Sequence, residues 1–301
     1  MNKAQQKLFN SLYQQHVNAL HRQGKADNTI DAYSRAIRRI TDFFDMCPDK
    51  LGPEHIKLYF DALIKSHSWS TVKVDRNGLQ FFFRHVLNRD WKWIDIVKPP
   101  SKKVLPDILT IKQVEQVING ARELRYQTFI LCAYSMGLRL GEVLNLRVGD
   151  IDSERMRVHI RLAKGQKDRF VILPLVTLHA LRNYWLTHKN PMLLFPGGKT
   201  FDARHQTTKA MDRGGLQNAV KAIIKSCGIH KSITPHSFRH CYGAHLVEEG
   251  LNLRAIQHEM GHACPKTTAL YTQLTDVTHD NTHEVINRLT QKLHLRFEAE
   301  V

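Results

Sequence analysis

Four short stretches of this 301-residue chain hold residue types that could act on a phosphate. The first reads Thr234-Pro235-His236-Ser237-Phe238-Arg239-His240. Thr234 suits a helix N-cap and Pro235 the first helical position, which puts His236 and Arg239 on one face of the first turn. A helix N-terminus already favours an anion. An imidazole and a guanidinium fork added there make a phosphate site. A capped helix with two surface polar groups satisfies the same pattern. The second stretch is Gly137-Leu138-Arg139-Leu140-Gly141-Glu142. Arg139 precedes the apolar Val143, Leu144 and Leu146, and an arginine between buried helices is costly without a partner. On one reading Glu142 is that partner; on the other, Arg139 is a second guanidinium aimed at the same phosphate.

The third stretch, Lys164-Gly165-Gln166-Lys167, reads as a turn. Lys164 there could reach into a groove or donate a proton, with Lys167 as a rival, although an ordinary polar turn is the commoner role. The fourth is Gly261-His262 with Tyr271 beyond it. Leu253, Ile256, Gln257 and Met260 keep helical spacing, Gly261 can end that helix, and Pro265 suits the start of one carrying Thr267, Thr268 and Tyr271. A tyrosine is most often a core aromatic with a polar tip. His258-Glu259-Met260-Gly261-His262 also matches the H-E-x-x-H pattern of zinc hydrolases. That chemistry needs both histidines on one continuous helix and a third ligand. Gly261 falls where the helix should stop, and no third ligand is marked. His236 and His240 also have i, i+4 spacing, but Arg239 between them favours an anion site.

The elements that must position these residues are mostly helical. In NTIDAYSRAIRRITDFF, Asn28 is the expected cap, and Ile30, Tyr33, Ile37, Ile40 and Phe44 share one face. Further helices are expected from Pro53 and over Ser70 to Leu87. Three prolines and three lysines between Lys98 and Pro106 mark a linker. Beyond it, Thr110 caps a helix ending at Gly120, and another runs from Tyr126 to Met136, with Gly137 placed to stop it. The period then changes. Val158, Ile160 and Leu162 alternate with His159 and Arg161, the chain turns at AKGQKD, and Phe170 and Ile172 resume the alternation, as in a β-hairpin. The expected fold class is mainly α with a small antiparallel β-sheet in the C-terminal domain. The expected domains are a helical one over 1–97, a linker over 98–106, and a second over 107–301 with a tail from about 279.

Lysines and arginines number 44 against 28 acids, a net charge of +16, and the sequence pI is about 9.7. Residues 1–103 and 104–301 each carry +8, so both domains suit a polyanionic partner such as nucleic acid. Apolar residues make up 42%, which is enough for a packed core and excludes global disorder. The cysteines, Cys47, Cys132, Cys227, Cys241 and Cys264, are odd in number and form no CxxC pair. A disulfide framework or zinc ribbon is therefore not indicated, and a reducing cytoplasm is expected. No segment has the roughly 20 apolar residues of a membrane span, nor does the N-terminus read as a signal peptide.

Taken in order, these stretches resemble the tyrosine-recombinase (phage-integrase) family. The family pattern is G-x-R-x-x-E, a hairpin lysine, H-x-x-R, G-H and a tyrosine. Here it falls on Arg139, Lys164 in AKGQKDRFVILP, His236 and Arg239, Gly261-His262, and Tyr271. The resemblance covers the whole chain, and TIDAYSRAIRRITDFF resembles the family's SAM-like core-binding domain. HEMGH and ACPKTTALYTQ depart slightly, since relatives more often have leucine before Gly-His and serine soon after.

The resemblance implies a two-domain clamp on double-stranded DNA and a site-specific recombinase or integrase. Tyr271 would be the nucleophile, forming a 3′-phosphotyrosyl intermediate without ATP. Arg139, Arg239 and His262 would bind the scissile phosphate, His236 would assist proton transfer with Tyr271, and Lys164 would protonate the departing 5′ oxygen. No metal or other cofactor is expected, because two arginines supply the charge that metals supply in two-metal nucleases. A homo-tetramer on two DNA sites is implied, with room for an accessory DNA-bending protein, and the family's prevalence suggests a mobile element. Val285, Leu289 and Leu293 form a stripe that could dock on a neighbour or on its own domain. The competing functions are a type IB topoisomerase-like DNA-relaxing enzyme and a catalytically silent DNA-binding protein.

Overall fold

The computed structural model describes residues 1–89, 106–163, 167–261 and 268–273. The chain divides into two compact units, Met1–Lys103 and Val104–Val301. The linker expected over 98–106 lies outside the described residues except for Pro106, and the C-terminal stripe of Val285, Leu289 and Leu293 lies wholly outside them.

The first unit is helical: α1 (Lys3–Arg22), α2 (Asp27–Phe44), a 3-10 turn (Pro48–Lys50), α3 (Pro53–Ser66) and α4 (Trp69–His85). Ile37 and Ile40 of α2 pack with Tyr59, Phe60, Leu63, Leu79 and Phe82 in its main core. One polar group is buried with them. The Asp75 carboxylate accepts from Arg39 Nη1 at 2.7 and 2.6 Å and from the Tyr59 hydroxyl at 2.6 Å, so its charge is neutralised where water cannot reach. Helix α2 starts two residues earlier than Asn28 would set it, with Ala26 as N-cap and Asp27 in the first turn. The Ala26 carbonyl takes the first helical N–H bonds, from Thr29 and Ile30, and the Asp27 carboxylate suits the positive end of the helix.

The second unit begins with α5 (Ile111–Gly120), capped by Thr110 as expected, and α6 (Leu124–Ser135). A short α7 (Leu140–Leu144) and a 3-10 turn (Val148–Asp150) lead into a three-stranded antiparallel sheet. Its strands are β1 (Ile151–Asp152), β2 (Arg157–Ala163) and β3 (Lys167–Ile172), in that order. Then come α8 (Leu175–Leu186), α9 (Phe201–Gln206), α10 (Arg213–Ser226), α11 (Pro235–Glu248), α12 (Leu253–Met260) and a 3-10 turn (Leu270–Gln273). Phe129, Ile130 and Ala133 of α6 share one core with Val158, Ile160 and Val171 of the sheet and Phe238 of α11. Among the described residues no helix is long and apolar enough to cross a membrane.

The hairpin differs from its expected phase. Val158 pairs with Val171 and both are buried, while Phe170 and Ile172 are exposed. On the outer face Phe170 stacks on His159 at 4.9 Å and lies 4.4 Å from the Arg157 guanidinium. Arg169, one residue from each of Phe170 and Asp168, therefore points inward with Val171.

Two outcomes follow from this packing. Gly137 ends α6 with φ +58°, and a Cβ there would sit 2.5 Å from the Tyr242 ring. Gly137→Ala should therefore cost roughly 2 kcal/mol or more, read as a lower unfolding midpoint. His16 is buried against the Phe81 and Phe82 rings, at 5.5 and 5.6 Å. Burial lowers its pKa from 6.5 to about 4. The unfolded chain is then protonated first as the pH falls, so stability present above about pH 6.5 is lost progressively down to about pH 4. By pH 5 the loss from this residue should reach about 2 kcal/mol. Urea unfolding at pH 7 and pH 5 should show a smaller decline in His16→Leu than in the wild type. Equal declines would acquit His16.

Candidate active site

The site is built where three chain turns meet. The left-handed turn at Gly137 ends α6 and delivers Arg139 as the N-cap residue of α7. The Arg139 backbone N–H donates to Glu142 Oε2 at 2.9 Å, and its Nη1 donates to Glu142 Oε1 at 2.7 Å. Its Nη2 donates to the Gly261 carbonyl at 3.3 Å. Arg139 thus has the partner a part-buried arginine needs and still keeps a quarter of its side chain exposed, at 25%.

Helix α11 supplies the second guanidinium. Pro235 occupies its first turn, and the Thr234 N–H donates to Ser237 Oγ at 3.1 Å, closing the helix start. Arg239 is 1% exposed. Its Nη1 donates to the Gly137 carbonyl and its Nη2 to the Met260 carbonyl. Those acceptors lie at the C-terminal ends of α6 and α12, where helix carbonyls have no helical partner and carry partial negative charge. Arg239 therefore staples both helix ends to α11. Burial, then the like charge of Arg139, lowers its pKa to about 10, so it stays charged at neutral pH.

A third guanidinium, Arg169 of β3, was not singled out from the sequence. Its two Nη atoms donate to Glu142 Oε1 and Oε2 at 3.0 and 2.9 Å. Burial would raise the Glu142 carboxyl, but the Arg169 fork and the Arg139 contacts overcome that and hold its pKa at about 2. Arg139 and Arg169 thus share the Glu142 carboxylate, while Arg239 is held by main-chain carbonyls alone. The inward position of an arginine two residues before Val171 was the available signal, and it was hidden by the wrong strand phase.

His236 lies on the exposed side of the first turn of α11 and meets His240 edge to face at 4.7 Å. Desolvation by the surrounding chain, with the charges of Arg239 and Arg139, pushes the His236 pKa below the usual histidine value. It is therefore neutral at pH 7 and able to accept a proton. Tyr271 lies on the final 3-10 turn, fully buried with Ile256 and Met260. Its ring crosses α11 so closely that a Cβ on Gly243 would fall 2.4 Å from it. The Tyr271 hydroxyl is 3.4 Å from His240 Nδ1. Burial pushes it up to about 12, with Arg239 and Arg139 acting in the other direction. His240 is thus the imidazole found at the tyrosine, and its i, i+4 spacing from His236 was the sequence signal. Burial, His236 and Arg239 together lower its pKa to about 4.

Arg139, His236, Arg239 and Tyr271 therefore gather around the ends of α6, α11 and α12. Lys164 and His262 lie outside the described residues, as does the side chain of Lys167. Helix α12 ends at Met260 with Gly261 in the left-handed region, φ +60°, so the H-E-x-x-H pattern has no continuous helix to lie on. Beside Arg139 a cavity of about 460 Å³ is lined by Arg147, His159, Arg161 and Arg213 and by the carboxylates of Glu142 and Asp150, the latter paired with Arg161. Such a positive, partly enclosed surface suits phosphates.

Comparison with known proteins shows the family. Residues 107–277 match the phage integrase family, and residues 12–93 match its N-terminal SAM-like domain. The putative integrase/recombinase y4qK of Sinorhizobium fredii is 36% identical over 250 residues, 82% of this chain and 79% of the relative. The tyrosine recombinase XerD of Listeria monocytogenes is 30% identical over 269 residues, 84% of this chain and 90% of the relative. The fold resembles that of the Tn1549 transposon integrase in complex with transposon right end DNA, with TM-score 0.66, 18% identity, and 93% and 99% of the two chains covered. It also resembles the XerH site-specific recombinase bound to its difH substrate, with TM-score 0.63, 18% identity, and 84% and 78% covered. The chain is a member of the phage integrase family, the tyrosine-type site-specific recombinases.

Proposed function

We propose that this recombinase cleaves and rejoins double-stranded DNA through Tyr271, with Arg139 and Arg239 holding the scissile phosphate. One observation carries the reading. Three guanidiniums converge on a part-buried site with a single carboxylate among the described residues, leaving positive charge for an anion such as a phosphodiester. The Tyr271 oxygen attacks phosphorus as the bond to the 5′ oxygen breaks. The tyrosyl proton goes to His236 by way of His240, which lies 3.4 Å from the Tyr271 hydroxyl and edge to face with His236; Lys164 protonates the departing 5′ oxygen, and His262 adds a donor to the phosphate. The product, a 3′-phosphotyrosyl link and a 5′ hydroxyl, conserves the bond, so a 5′ hydroxyl from another strand reverses the step without ATP. Each step is assigned to the chain's own side chains, with no cofactor.

The buried tyrosine shapes the chemistry. At about 12 its pKa keeps the hydroxyl protonated at neutral pH, and a weak nucleophile of this kind must be activated when the phosphate arrives. The positive charges of Arg239 and Arg139 favour the phenolate. Residues 1–97 and 107–301 would act as core-binding and catalytic domains, both basic, closing on the duplex with strongly salt-dependent affinity. A tetramer on two DNA sites is the assembly proposed, in keeping with the related fold of a lambda integrase tetramer bound to a Holliday junction. An accessory DNA-bending protein and a cytoplasmic setting complete the reading.

Covalent trapping tests it. The protein is incubated with a nicked suicide duplex, DNA flanking its own gene being the first choice of site. A denaturation-resistant adduct should form with the wild type and vanish with Tyr271→Phe, while DNA affinity changes by less than about threefold, since phosphate contacts dominate it. An adduct that persists in Tyr271→Phe would show that another residue is the nucleophile. Tight, salt-sensitive binding to the correct site with no wild-type adduct would reject strand cleavage by this chain alone.

A further inference from the structure

We infer that Arg169 is a positioning residue for strand cleavage, keeping Arg139 available to the phosphate by taking up the charge of Glu142. The inference rests on the assignment of Arg139 and Tyr271 above. Arg169 touches both groups that hold Arg139. Its fork donates to both Glu142 oxygens, at 3.0 and 2.9 Å, and Glu142 in turn holds Arg139 Nη1 at 2.7 Å. Its side chain also lies against Gly261, where a Cβ would fall 2.8 Å from Arg169 Cδ. The Gly261 carbonyl is the other acceptor for Arg139, at 3.3 Å. Arg169, Glu142, Arg139 and Gly261 therefore close a ring of contacts, and Arg169 is the only one of the four on the β-hairpin.

The ring separates two uses of one charge. A carboxylate that is 9% exposed must be neutralised. With Arg139 as its only partner, Glu142 would draw that guanidinium into a closed ion pair and weaken its field at the phosphate. With Arg169 bound at both oxygens, the carboxylate is already matched and Arg139 keeps a net charge. A lysine cannot replace Arg169, because a single ammonium does not span two carboxylate oxygens. Arg169 itself is 12% exposed and is not required to touch the DNA for this role. Gly261 leaves room for the arginine stem.

The test measures the cleavage rate at saturating full-length protein, alongside DNA affinity and thermal midpoint. The variants are Arg169→Lys, Arg169→Gln, Glu142→Gln and the double variant Glu142→Gln with Arg169→Lys. A shift of about an ångström in a catalytic group can cost on the order of 100-fold. Arg169→Lys should cleave roughly 10- to 100-fold more slowly at nearly unchanged affinity. The double variant should then cleave faster than Arg169→Lys alone, because removing the unmatched carboxylate frees Arg139. Mere loss of packing cannot produce that reversal. Arg169→Gln keeps much of the volume and serves if the lysine variant unfolds. Cleavage by a folded Arg169 variant within about threefold of the wild type would overturn the inference, as would a double variant slowed by the product of its single effects. Absence of the wild-type adduct, or its persistence in Tyr271→Phe, would instead reject the assignment on which the inference rests.

Discussion

The architecture of the second unit depends on keeping guanidiniums charged away from water. An arginine cannot shed its proton as a buried lysine can, so every buried guanidinium must find oxygen acceptors. Arg239 finds them in the carbonyls of Gly137 and Met260, and Arg139 and Arg169 find them in Glu142. Carbonyls satisfy the hydrogen bonds of Arg239 without cancelling its charge. The site is thus hydrogen-bonded but electrostatically incomplete, a condition that a phosphodiester would complete.

The helices matter chiefly for where they end. Helix α6 ends at a left-handed glycine, and α12 ends at another. Each end exposes carbonyls that Arg239 collects from the first turn of α11. The same α11 carries His236 and His240 along one side and, at Gly243, gives the Tyr271 ring the space to lie against it. One helix therefore aligns a guanidinium, two imidazoles and a buried tyrosine. Their pKa values spread accordingly, from a lowered His236 to a Tyr271 at about 12, so at neutral pH the imidazole is free to take a proton and the phenol keeps its own.

Much of this was legible in the sequence because it rests on local rules. Thr110, Gly137, Pro235 and Gly261 act at helix ends, and the backbone demands of a cap or a left-handed turn are set by the residue itself. Arg139, Arg239 and Tyr271 were legible only as part of an ordered set, since each alone suits a surface or core role. What escaped depends on long-range packing. Helix α1 buries Leu12, Ala19 and Leu20 but also the polar His16, and leaves Leu8 exposed, so its apolar stripe is interrupted. Phe170 lies outward against Arg157 and His159, which no strand periodicity reveals. That inverted phase concealed Arg169. The role of His240 depends on where Tyr271 returns to α11, 31 positions later.

The central claim is that Arg139 and Arg239 grip one phosphate beside Tyr271. The most direct measurement is a crystal structure of Tyr271→Phe bound to an intact duplex containing its recombination site. The account predicts a single phosphate with both guanidiniums within hydrogen-bond distance of its nonbridging oxygens and the residue 271 ring facing its phosphorus. A complex in which the nearest phosphate is held by Arg139 alone, with Arg239 bound only to the Gly137 and Met260 carbonyls, would contradict it.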